Sequence, residues 1–190
     1  NSFTWSALRE KYFTRIITEK GYDCQVFHYS LSHGSDDKSE LERLGTWLSD
    51  LDKPVGVFAC YDFQGRLVLD ACRLKKILVP DEVAVIGVDN DELLCELADP
   101  PMSSVIPDTY RTGYEAAELL ERMMSGENID GLSHLIAPLG IAARRSSDVL
   151  AVNDLDISKA LRFIRDNADK GICVKDVLEA VSISRRLLEY

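Results

Sequence analysis

Two carboxylates stand just beyond short apolar runs in this chain. Asp89 follows Val83-Ala-Val-Ile-Gly-Val88 and opens the polar cluster Asp89-Asn-Asp-Glu92, while Val55-Gly-Val-Phe-Ala-Cys60 leads through Tyr61 into Asp62. An ionised carboxylate accepts several hydrogen bonds, so a pair of them can grip a ligand rich in hydroxyls; two neighbouring carboxylates can also act as an acid/base pair. A hydroxyl-binding site further needs a forked donor and a flat apolar surface, which arginine and tryptophan supply. An acid/base enzyme would be expected to carry a phosphate-gripping glycine loop, a Gly-x-Ser-x-Gly elbow or a nucleophile with its base, and none of these is present. Asp62 has a second reading, as the cap of the helix that follows it. Cys24, His28 and His33 are close in sequence but lack a recognised metal-ligand spacing, and no metal or other cofactor is expected.

The elements that position these residues follow from periodicity. Short β-branched runs, each followed by a helical pattern, predict buried parallel strands. A helix is expected over 6–20, with Leu8, Phe13, Ile16 and Ile17 inward and Gly21 ending it, followed by a strand over 25–29. Leu41, Leu44, Leu48 and Leu51 keep helical spacing until Pro54 stops them. The pattern then predicts a strand at 55–60, a helix at 63–76, a strand at 83–88, a short helix at 91–97 and a strand at 103–106. A helix follows over 109–125, with Gly113, Ala117, Leu120 and Met124 on one face, and then short strands at 132–137 and 141–144. The fold class is α/β, a doubly wound and mostly parallel sheet; in such sheets ligands bind beyond the carboxyl ends of the strands, where Asp62 and Asp89 fall.

A polar stretch from Arg145 to Asp154 marks a boundary, giving residues 1–148 as one domain, 149–156 as a linker and 157–190 as a small all-α module. Helices are expected at 157–168 and 174–180, and a tight turn at 182–184 opens a third; two short helices so joined predict a helix-turn-helix. Ser184, Arg185 and Arg186 open its second helix and are the candidate DNA contacts. Charge agrees with this division. The chain carries a net −10, yet its last 36 residues hold seven Lys and Arg against six Asp and Glu, so the module can approach phosphates while the acidic body stays away. Five cysteines without a Cys-x-x-Cys pair suggest reduced thiols and a cytoplasmic protein. No window approaches the roughly 20 apolar residues of a membrane span, and no export leader is visible.

An ordered set of motifs resembles a known family. Trp5-Ser-Ala-Leu-Arg9, Val57-Phe-Ala-Cys-Tyr-Asp62, Val79 through Asn90, Ser103-Ser-Val105 with Gly113-Tyr-Glu-Ala-Ala117, Arg144-Arg-Ser-Ser-Asp148 and Ile164 through Arg185 span nearly the whole chain. Together they resemble the sugar-responsive transcription regulators whose sensor is like the Lac repressor and periplasmic sugar-binding proteins, in the form that joins this sensor to an AraC-type DNA-binding domain. The resemblance implies a pentose, D-xylose foremost, bound between two lobes, with Asp62 and Asp89 as acceptors, Arg9 as the fork and Trp5 as the stacking surface, while Asn90 and Asp91 either orient Asp89 or touch the ligand themselves. It also implies a homodimer acting on a DNA operator. Against the family pattern the chain starts after most of the first lobe and the first strand of the second, and it ends within the first of two helix-turn-helix units. It carries Tyr61 where many members have Asn. The other readings from sequence are an α/β enzyme acting on a small polyol through Asp62 and Asp89, and an exported sugar-binding protein, which the odd thiols and the carboxy-terminal module disfavour.

Overall fold

A computed structural model describes residues 3–29, 37–129, 131, 133–149 and 155–181. The chain forms two units, Asn1–Val149 and Leu150–Tyr190. In the first, α1 (Thr4–Glu19), α2 (Asp37–Asp50), α3 (Asp62–Lys75), α4 (Glu92–Leu97) and α5 (Thr109–Met124) accompany four strands, β1 (Val55–Phe58), β2 (Val83–Val88), β3 (Ser103–Ile106) and β4 (Gly140–Ala142). The sheet runs β1-β2-β3-β4. β1 and β2 are parallel with Val55 opposite Val83, β2 and β3 are parallel with Ile86 opposite Ser103, and β4 closes the edge antiparallel to β3.

Alternation along the strands explains why they read as continuous apolar runs. Val83 and Val85 have no exposure and pack with Leu44, Leu48, Val68, Leu69 and Cys72 of α2 and α3. Successive side chains point to opposite faces, so Phe58 lies on the other side, where it stacks on Phe13 of α1 with ring centroids 4.5 Å apart. Helices therefore cover both faces, as a buried parallel sheet requires. Residues 62–75 form a helix that ends where Lys76 turns left-handed at φ 58°. Asp91 and Asp108 cap α4 and α5 by accepting from Leu94 N (3.0 Å) and Arg111 N (2.9 Å).

Several local expectations are corrected. Residues 22–29 run as an ordered segment without a strand ladder. Phe27 packs against Trp47 (5.2 Å), as the apolar pattern demands, but the backbone meets no strand among the described residues. Residues 133–139 likewise form no strand. On α1, Phe13 and Ile17 are half-buried, whereas Leu8 and Ile16 are exposed. No residue of α5 is buried, so the face carrying Leu120 and Met124 meets no core among the described residues.

The second unit contains α6 (Leu155–Asn167), a 3-10 turn over Ala168–Lys170 and α7 (Val174–Val181). Ala160, Val177 and Val181 form its core with Phe163 and Ile172, and Gly171 takes the left-handed turn between them at φ 65°. The Asp176 carboxylate accepts from Cys173 N at 2.8 Å, which fixes the start of α7 and holds the carboxyl below its ordinary range. The sequence-predicted DNA contacts Ser184, Arg185 and Arg186 lie outside the described residues. Among the described residues, no helix is long and apolar enough to cross a membrane.

Two measurements check this packing. Leu48 is wholly enclosed, so Leu48→Ala should cost about 3 kcal/mol in urea unfolding through lost transfer energy and a residual cavity. Burial pushes the Cys72 thiol up to about 12, whereas Cys173 is exposed. A thiol reagent at pH 8 should label Cys173 at once and leave Cys72 silent until the protein unfolds.

Candidate functional site

The first turns of α1, the loop after β1 and the loop after β2 meet at the carboxyl ends of the strands. Arg9 joins them. Its guanidinium donates to the Cys60 carbonyl, lies 3.5 Å from Asp89 Oδ1 and sits 5.0 Å over the Trp5 ring. Arg9, Trp5 and Asp89 are thus brought together although Arg9 and Asp89 are 80 positions apart in the chain. Tyr61 meets Trp5 edge-on at 5.6 Å and stacks against Phe63 at 6.2 Å, so the residue that departs from the family pattern adds aromatic surface here. Trp5 is 42% exposed and the Asp89 side chain 51%, so both remain open to solvent.

Asp62 behaves differently. It is 2% exposed, and its two oxygens serve protein groups: Oδ1 accepts from the Ser104 hydroxyl at 2.6 Å and Oδ2 from the Asp91 amide at 2.8 Å. The cap reading is corrected, because Tyr61 occupies the cap position of α3 and Asp62 turns away from the helix. Gly87 makes room for it, since a Cβ there would collide with the carboxylate. The same carboxylate adds to burial in raising the Cys95 thiol to about 12.

The loop between them is bent into a strained shape. Asp89 has φ 107° and Asn90 φ 51°, values that residues with a Cβ adopt at a cost. Three successive amides hold it there: Asp89 N donates to Val105 O (3.1 Å), Asn90 N to Ser104 Oγ (3.0 Å) and Asp91 N to Asp62. Burial raises the Asp89 carboxyl above its ordinary value; Arg9 offsets this in part and Asp62 adds to it. The Asn90 side chain in turn accepts from Arg144 at 3.0 Å. Neither Ser104 nor Arg144 was found from the sequence as a site residue. Paired serines inside a buried strand were the available signal, since a buried hydroxyl must have a partner.

The arrangement offers acceptors from Asp89, donors from Arg9 and an aromatic wall, a combination suited to a hydroxylated ring. A cavity of about 450 Å³ lies nearby between α1, residues 23–29, α2 and β1. Its walls are largely apolar, including Phe13, Phe27, Trp47 and Phe58; Trp5 and Tyr61 line it as well, whereas Arg9 and Asp89 do not. Among the described residues, no cluster of metal-binding side chains occurs.

The raised carboxyl has a consequence for stability. The folded state keeps the Asp89 proton to higher pH than the unfolded chain does, so stability contributed by this group is present below the ordinary carboxylate range and lost as pH rises through the folded value. Urea unfolding of wild type and Asp89→Asn across pH 3 to 7 should show the variant gaining relative stability as pH rises. A constant or opposite difference would contradict the assignment.

Comparison with known proteins places these residues in a family. Residues 1–147 match the periplasmic binding protein-like domain. The xylose operon regulatory protein of Escherichia coli K12 is 35% identical over 185 residues, 97% of this chain and 47% of that protein, and its Haemophilus influenzae counterpart is 32% identical over 97% and 48%. The structure of the xylose-binding transcription activator XylR superposes with a TM-score of 0.79 at 34% identity, covering 98% of this chain and 49% of that one. The complex of the transcriptional regulator CelR with cellobiose gives 0.59 at 27% identity over 73% and 42%. The chain spans about half the length of the curated relatives it matches. It belongs to the periplasmic binding protein-like domain family.

Proposed function

We propose that this polypeptide is the sensing part of a cytoplasmic transcription regulator that binds a pentose, D-xylose foremost, at the crevice formed by Trp5, Arg9, Asp89 and Asn90. The observation that carries this reading is the convergence of Arg9 on Asp89 and Trp5 at the strand ends, where open α/β sheets hold ligands. The relatives named for xylose regulation and xylose binding agree with it. Asp89 accepts from sugar hydroxyls, Arg9 donates to ring or hydroxyl oxygens, and Trp5 covers the apolar face. Asp62 supports the site from beneath, with both oxygens already engaged by Ser104 and the Asp91 amide.

That occupancy of Asp62 also argues against an acid/base enzyme, because a proton-transfer pair needs both carboxylates within reach of substrate. In the regulator reading, the sugar favours a closed arrangement of two lobes, and this shift alters how an AraC-type module, paired with a second copy in a homodimer, engages operator DNA through Ser184, Arg185 and Arg186. No metal or organic cofactor enters the scheme.

Isothermal titration of the full-length chain with a panel of pentoses tests the reading. Saturable binding of unchanged D-xylose is expected, with Trp5→Ala and Arg9→Gln each weakening it tenfold or more, about 1.4 kcal/mol. Absence of binding to every pentose, or turnover of the sugar, would overturn it. DNA affinity with and without xylose at one stated salt concentration then tests the regulatory step.

A further inference from the structure

Of the residues proposed to meet the sugar, Asn90 has its orientation set by one partner far along the chain. Arg144 Nη1 donates to Asn90 Oδ1 at 3.0 Å. A guanidinium has donors only, so the amide oxygen must face it, and the amide nitrogen, with two N–H groups, is turned away. Among the described residues that nitrogen has no protein partner.

Arg144 is itself firmly held. Its side chain is 13% exposed, and the guanidinium also donates from Nη1 to Met102 O (3.0 Å) and from Nε to Glu96 Oε1 (2.6 Å). Its backbone is tied to β3, with its N–H donating to Ser103 Oγ (2.7 Å) and its carbonyl accepting from the same hydroxyl (3.0 Å). The next residues form a 3-10 turn over Arg145–Ser147. Ser146 in that turn donates from its hydroxyl to Val85 O (2.6 Å) and accepts from Ser103 N (2.8 Å), and its own amide donates to Pro101 O (3.0 Å). The unit ends at Val149.

We propose that Arg144 is a positioning residue that presents the Asn90 amide donors to a sugar oxygen and makes occupancy of the crevice felt in the segment 144–148 through which the chain leaves the unit. This rests on the sugar-sensor reading. Asn90 and the exit segment share one guanidinium, so tightening the first restrains the second. A lysine keeps the charge but not the planar fork that meets Asn90, Met102 and Glu96 at once.

Hydrogen exchange of the full chain with and without saturating D-xylose separates the possibilities. In wild type the sugar should slow exchange about tenfold or more both at the amides of 90–91 and at those of 144–148. Arg144→Lys should keep the protection at 90–91 and lose that at 144–148, while Glu96→Ala, which removes only the exposed partner, should keep both. Asn90→Ala, which leaves the other Arg144 bonds in place, should bind the sugar more weakly and lose the protection at 144–148 at saturation; it decides the matter if Arg144→Lys does not fold. Protection confined to 90–91 in wild type, or an Arg144→Lys response like that of wild type, overturns this inference and leaves the sensor reading standing. Failure of wild type to bind any pentose overturns both.

Discussion

The buried carboxylate of Asp62 is the interaction on which the strand-end architecture depends. One oxygen binds the Ser104 hydroxyl of β3 and the other the Asp91 amide at the entrance to α4, so a side chain at the start of α3 braces two neighbouring segments. A carboxyl group with 2% exposure is tolerated because both oxygens have donors; removing either would leave an unsatisfied buried group, at a cost of about 1–3 kcal/mol. The absence of a side chain at Gly87 is part of the same constraint, since the carboxylate fills the space a Cβ would need. Through Asp91 N and Ser104 Oγ, the brace also fixes the loop that carries Asp89 and Asn90.

The two carboxylates that open the site therefore have opposite energetic characters. Asp62 is satisfied within the protein and stabilises the scaffold, whereas Asp89 is half exposed, sits on a left-handed backbone and has its ionisation opposed by burial and by Asp62. Strain of this kind persists when the surroundings over-determine it, and three anchored amides do so here. A residue that is unfavourable for folding and open to solvent is placed to interact with something other than its own chain. Arg9 reaches it while also donating to the Cys60 carbonyl and lying over the face of Trp5.

The parts of the fold legible in the sequence were those whose physics is local. β1 and β2 follow from short β-branched runs bounded by turn residues, β3 from a brief run after Pro100-Pro101, and α3 and α4 from apolar spacing with polar starts. The segment 25–29 carries strand-favouring Val26, Phe27 and Tyr29, yet strand formation needs a pairing neighbour, which composition does not reveal. The positions of Asp62 and Asp89 beyond strand ends were legible, but not their division of roles, because Ser104 and the Asp91 amide reach Asp62 from 42 and 29 residues away. Arg144 was hidden for the same reason, lying 54 residues from Asn90 with no periodicity to connect them.

The Ser146 hydroxyl, bonded to Val85 and Ser103, bears on the order in which the polypeptide matures. Its two partners belong to β2 and to β3, and Val85 precedes it by 61 residues. As a ribosome delivers the chain, both strands emerge well before the turn that completes their hydrogen bonding, and closing so long a loop is slow compared with local helix formation. The Ser103 amide and the Val85 carbonyl must stay hydrated through that interval, so the nascent unit reaches its final compactness only when its last few residues have been synthesised.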